Sequence, residues 1–165
     1  MINNIDNFFS ILLRRFTETP QNENLCKLIA HLGDLTIHIL FFPILYYVGN
    51  SDTRKILKGW LLGTIKVIFI LLLIKPLFKR KRPIDKLPKE YSLITKKNEY
   101  SFPSGHSLRN FFIAEFFGNK FPTFKPILYI YAILNGLSRV ALGLHYLTDI
   151  IVGAIIGIFI AKKQS

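Results

Sequence analysis

Apolar residues gather into windows of about twenty, the length that a helix needs to cross a hydrocarbon core roughly 30 Å thick. Five such stretches are predicted, at about 28–48, 56–78, 107–121, 126–142 and 147–161. The third is short and carries Arg109, Asn110 and Glu115, so it is expected to face protein or a wet cavity rather than lipid. Upstream, Ile5, Phe8, Phe9, Leu12 and Phe16 recur at three- to four-residue spacing opposite Asn3, Asn7, Ser10 and Arg14. That is the pattern of a helix lying in the membrane interface, although a helix packed on the bundle would share it. Residues 1–20 are not read as a signal peptide, because Asp6 interrupts their apolar stretch and Arg14 and Arg15 end it without a small-residue cleavage site. Trp60, Tyr46, Tyr47, Tyr129 and Tyr146 fall near the ends of the stretches, where amphipathic rings settle. The predicted fold is all-α: one membrane-embedded domain over residues 1–165, with about five transmembrane helices plus the amphipathic N-terminal helix.

Charge alters this picture less than it first suggests. The 165 residues hold 22 Lys+Arg against 10 Asp+Glu, a net charge of +12. Yet half of them are hydrophobic, 14% are aromatic and mean hydropathy is +0.33. A basic nucleic-acid-binding domain needs a wet polar surface, so nucleic acid is not an expected partner, and disorder is excluded as well. The single cysteine, Cys26, forms neither an intramolecular disulfide nor a cysteine-based metal site by itself.

Candidate chemistry lies around the one long polar segment, from Lys79 to Pro103, which contains KRKRP, KLPKE and ITKKNEY. A charge run alone is usually a solvated loop. Three clusters nevertheless fall at one membrane boundary if the second stretch ends near Lys75, the third begins near His106 and the fifth begins near His145: Lys75 with Arg82 and Pro83, then Pro103-Ser104-Gly105-His106, then Ser138-Arg139 with His145 and Asp149. On a helix, residues four apart share a face, so Asp149 is expected to fix the tautomer of His145 and leave its other nitrogen as a nucleophile. Alone, the pair equally fits a hydrogen-bonded helix start without chemistry. Arg82 and Arg139 offer planar forks suited to phosphate, and Lys75 a point charge. Ser104 and Gly105 add a hydroxyl and an approachable N–H at a helix start, where anions are favoured. His106, outside the His145–Asp149 pair, is placed to protonate a leaving oxygen. Phosphoryl transfer is mostly positioning and charge stabilisation, and this inventory supplies both without a metal.

These residues resemble the type 2 phosphatidic acid phosphatases, a family defined by K-x6-RP, PSGH and SR-x5-H-x3-D. All three motifs are intact here as Lys75-x6-Arg82-Pro83, Pro103-Ser104-Gly105-His106 and Ser138-Arg139-x5-His145-x3-Asp149. The resemblance implies that His145 attacks phosphorus, that Asp149 orients it and that His106 protonates the leaving group. Lys75, Arg82, Ser104, Gly105 and Arg139 would hold the phosphoryl oxygens. It further implies a phosphohistidine intermediate hydrolysed by water, with no metal or other cofactor.

The expected substrate is a phosphorylated membrane lipid, with no obligate protein partner inferred. Small size, minimal loops and the basic loop are similar to those of bacterial lipid A 1-phosphatases; undecaprenyl pyrophosphate and phosphatidylglycerophosphate phosphatases are the alternatives. Lipid phosphotransfer, or a non-catalytic membrane role, are the other classes. The resemblance implies a bacterial inner membrane with the site facing the periplasm. The nine Lys/Arg between Lys75 and Ser104, against seven counted on the opposite side, would by the positive-inside rule put that loop in the cytoplasm. Lys79, Arg80 and Lys81 could instead attract an anionic head group. His31, Asp34, His38, Lys66, Arg109 and Glu115 are read as structural pairs outside the site.

Overall fold

The structure, a computed structural model, describes residues 2–83 and 100–164, with side chains from Asp6 onward. Lys86, Lys89, Lys96 and Lys97 of the polar segment, and the side chains of Asn3 and Ile5, lie outside the described residues. Among the described residues there are seven α-helices and no strand: α1 (Ile2–Arg15), α2 (Pro20–Leu32), α3 (Leu35–Val48), α4 (Ser51–Phe78), α5 (Gly105–Lys120), α6 (Lys125–Ala141) and α7 (Leu147–Lys162). Local chemistry sets their ends. Thr19 caps α2 through Asn22 N–H with Pro20 in its first turn, and Asn50 caps α4 through Thr53 N–H at 2.9 Å.

The first predicted span is not one helix. It breaks at Gly33-Asp34 into α2 and α3, which meet at a bend of 44°. Gly33 ends α2 and Asp34 stands at the N-cap of α3, and a break inside a membrane is tolerable only where protein satisfies the freed carbonyls. Here Asn135 donates to Ile29 O at 2.6 Å, Arg139 to Ala30 O at 2.9 Å, Tyr131 to Leu32 O at 2.8 Å and Arg109 to Gly33 O at 2.7 Å.

Helix α5 is the axis of the bundle. Leu108, Phe112 and Phe116 pack on Leu57, Trp60 and Val67 of α4 and on Ile160 and Ala161 of α7, while Phe111 and Ala114 meet Ala132 of α6. This explains its polar composition: Arg109, Asn110 and Glu115 are all buried against protein. Trp60, expected in an interfacial belt, instead sits in the core against Phe42 and Phe117. Apolar residues turned outward include Ile39 and Ile44 of α3, Leu62 and Phe69 of α4, Ile127 and Ile130 of α6, and Ile155 and Phe159 of α7, as a lipid solvent permits. Among the described residues α4 alone has the length and apolarity to span by itself, and α2 with α3 do so jointly. Helices α5 to α7, at 16, 17 and 16 residues, fall short of the roughly twenty expected of a full span.

Helices α5 and α7 touch through backbone. A Cβ at Gly157 would stand 2.2 Å from Leu108 O, and one at Gly153 2.8 Å from Ser104 O. Gly157→Ala is therefore expected to destabilise the protein by about 1–3 kcal/mol through overpacking. A lowered thermal midpoint in detergent would show it; an unchanged one would mean that the two helices separate freely.

Candidate active site

Helix α7 begins at Leu147, so His145 is not on it. It lies in the connection after α6, one residue before the Tyr146 N-cap, and Asp149 occupies the third helical position. The two meet by a different route from the shared helix face expected of residues four apart. Asp149 reaches back over the helix start, accepting Tyr146 N–H at 2.9 Å, and the same oxygen lies 3.5 Å from His145 Nδ1. A carboxylate returning to its own N-cap is ordinary capping geometry; here it also addresses the imidazole just ahead. Asp149 is fully buried and His145 is 4% exposed. The backbone carbonyl of Asp149 accepts Ser104 N–H at 3.0 Å, which ties the second motif to the third.

With Nδ1 toward Asp149, Nε2 of His145 faces Arg82, whose Nη1 is 3.3 Å away and also donates to Leu144 O at 2.6 Å. Burial, and then the cations of Arg82 and Lys75, push the His145 imidazole down to about 3, against the pull of Asp149. It is therefore neutral at physiological pH, the form with a lone pair to offer. Lys75, buried near the end of α4, donates to Tyr100 O at 2.8 Å.

His106 stands in the first turn of α5. Its Nε2 lies 2.6 Å from Asp34 Oδ1 and is also in close contact with Arg139, which reaches the same carboxylate oxygen at 3.0 Å. Asp34, read from sequence as a structural pair outside the site, thus belongs inside it. The helix break delivers it, and the signal was present: a Gly-Asp step within an apolar run is a helix stop followed by a helix start.

Lys75, Arg82, Gly105, His106 and His145 line one cavity of about 270 Å³, together with Asp34 and Arg109. Three predicted residues do not line it. Ser104 is fully buried and caps α5 through Ser107 N–H at 3.4 Å, Asp149 sits behind His145, and Arg139 turns toward Ala30 O and Asp34. Capping by Ser104 leaves the N–H groups of Gly105 and His106 at a helix start, without acceptors in their own helix. The cavity continues past Leu35, Ile68, Leu71 and Leu72 between α3 and α4, an apolar flank beside a cationic floor. Arg80, counted with the loop cations, turns inward to Asp149 at 2.7 Å. Of the other ionisable groups read as structural pairs, Glu115 is buried and pairs with Lys125 at 3.0 Å, whereas Lys66 is exposed and meets Gln164 at 3.4 Å, both apart from the cavity lining.

Comparison with known proteins agrees with this arrangement of helices. A transmembrane PAP2-type phosphatidylglycerolphosphate phosphatase of Bacillus subtilis superposes with a TM-score of 0.77 at 24% identity, over 99% of this chain and 84% of that one. Aquifex aeolicus LpxE superposes with a TM-score of 0.75 at 23% identity, over 94% and 91%. In sequence, phosphatidylglycerophosphatase B of B. subtilis is 32% identical over 147 residues, 80% of this chain and 68% of that protein. The PAP2 superfamily model matches residues 56–162, which hold all three motifs, and the chain accordingly belongs to the PAP2 superfamily and is a phosphatase.

Proposed function

We propose that the chain is a membrane lipid phosphatase that acts through a phosphohistidine on His145 and needs no metal. The observation that carries this reading is the cavity itself, where a buried neutral imidazole backed by a carboxylate faces cationic side chains, with an apolar flank beside them. Lys75, Arg82 and the first-turn N–H groups of α5 hold the phosphoryl oxygens. Ser104 contributes by shaping that helix start, and Arg139 by gripping Asp34 beside His106. The Nε2 lone pair of His145 forms a bond to phosphorus while the bond to the leaving oxygen breaks, its electrons staying on that oxygen and a proton arriving from His106. Water, giving its proton back to His106, then splits the phosphorus–nitrogen bond and releases inorganic phosphate. The acyl or prenyl chain of the substrate runs along Leu35, Ile68, Leu71 and Leu72.

The protein would sit in a bacterial inner membrane with the cavity toward the periplasm, about five helices crossing the bilayer. Lipid A bearing a 1-phosphate is the first substrate reading, from the small size and the basic loop beside the site. Phosphatidylglycerophosphate is the second, favoured by the relative at 32% identity named for it; undecaprenyl pyrophosphate stands with it.

The test is phosphate release by the purified, detergent-solubilised protein in excess EDTA against lipid A, phosphatidylglycerophosphate, undecaprenyl pyrophosphate and phosphatidic acid. Release is expected, and the ranking of rates identifies the substrate. Phosphate appearing on an added acceptor lipid instead would favour transfer over hydrolysis, and silence on all four would overturn the reading.

A further inference from the structure

Asp149 has a second neighbour besides His145. Its Oδ1 accepts from Arg80 Nη1 at 2.7 Å, and the other arm of the same guanidinium reaches Asp6 Oδ2 on α1 at 2.6 Å. Arg80 also donates to Thr148 Oγ1 at 2.7 Å and lies over the Tyr146 ring at 3.9 Å. Asp6 in turn accepts Thr148 N–H, at the start of α7, at 3.0 Å. Asp6 is 1% exposed and Asp149 is fully buried. Nothing in the reaction as described uses Asp6 or Arg80, yet two buried carboxylates are bridged there by a guanidinium that is 24% exposed.

A guanidinium on Asp149 alone would work against the nucleophile. It would hold the carboxylate still but draw its negative field away from His145. A second carboxylate on the far arm offsets that charge, so Asp6, Arg80 and Asp149 alternate in sign behind the neutral imidazole of His145. We propose that Asp6 and Arg80 are positioning residues for the nucleophilic pair: Arg80 clamps the outer oxygen of Asp149, and Asp6 both holds Arg80 and keeps the field of Asp149 on His145. The N-terminal helix thereby becomes part of the catalytic apparatus. It turns Asp6 and Ser10 inward, while Phe8, Ile11 and Leu12 point outward, so Asp6 rides on a helix whose opposite face is apolar. This inference rests on the reading of His145 and Asp149 as the nucleophilic pair.

The test uses the full chain in detergent, with whichever of the four lipids above it hydrolyses fastest and with inorganic phosphate as competitive inhibitor. Asp6→Asn and Arg80→Gln are each expected to lower kcat about 10- to 100-fold, the scale of a small misplacement at the reacting centre. KM and the inhibition constant for phosphate should stay within about twofold, since the phosphate-holding groups are untouched. The double variant should fall no further than the worse single one, because both act through one carboxylate. Arg80→Lys, which keeps the charge but lacks the planar fork whose two arms span the carboxylates, should fold normally and still lose kcat. Lys55→Gln, at an exposed cation near the start of α4 and at the other end of that helix from Lys75, should match the wild type. The inference is overturned if Arg80→Lys and Asp6→Asn keep wild-type kcat, or lose only thermal stability, or change KM and phosphate inhibition instead. Should His145→Ala retain activity, the underlying reading fails; should His145→Ala be inactive while the Asp6 and Arg80 variants are normal, this inference alone fails.

Discussion

His145→Ala is expected to lower kcat/KM by about 10⁴-fold or more on the lipid that the wild type turns over fastest. The size follows from the proposed role: without the atom that bonds phosphorus, the remaining cavity would bind the head group but have no covalent path. Water has no comparable position, because His145 is 4% exposed and its Nε2 is directed toward Arg82. Asp149→Asn should be less severe, since the imidazole survives and only its orientation and support are lost. Quenched-flow trapping with ³²P-labelled substrate gives the independent check. Wild type should yield an acid-labile, base-stable phosphoprotein that is absent from His145→Ala, and labelling of His145→Ala to the wild-type level would sink the covalent role.

Much of the site was legible because its chemistry is local in sequence. Within each motif the spacing fixes which side chains share a turn, and each motif is short enough for one loop or helix start to present it. Even so, the pairing of His145 with Asp149 does not come from the shared helix face that their spacing suggests. The helix starts after the histidine, and the contact comes from a carboxylate returning to its N-cap. Arg139 carries the right chemistry, but nothing in its spacing shows that α2 and Asp34 compete for it.

What stayed hidden depends on elements far apart in the chain. Asp34 meets His106 only because the first apolar run breaks, and hydropathy averages over a window wider than the break. Arg80 was lost within KRKRP, where four adjacent cations look alike until one finds Asp6 and Asp149. Helices α5 to α7 are short, and α5 is largely enclosed by protein, features that a hydropathy window does not separate from a lipid-facing span. Hydropathy measures what a residue avoids; it does not say whether lipid or protein provides the shelter.

The second large effect concerns the proton. In the proposed reaction His106→Ala should lower kcat on a lipid phosphate by about 10²- to 10⁴-fold, the usual contribution of a positioned general acid. The leaving group of a lipid phosphate is an alkoxide, a strong base that departs only as it is protonated. Asp34 fixes the plane of His106 at 2.6 Å, and its carboxylate opposes burial and the Arg139 cation, which together hold the imidazole well below its usual range. An aryl ester such as p-nitrophenyl phosphate expels a weakly basic phenolate that needs no proton. His106→Ala should therefore release p-nitrophenolate in a burst near the wild-type rate and then stall, because the second half of the reaction needs the same imidazole to take a proton from water. Asp34→Asn should show the same pattern in smaller measure. If the variant loses alkyl and aryl esters equally, with no burst, His106 binds the phosphoryl group rather than moving a proton, and Asp34 serves only to hold the break between α2 and α3 in place.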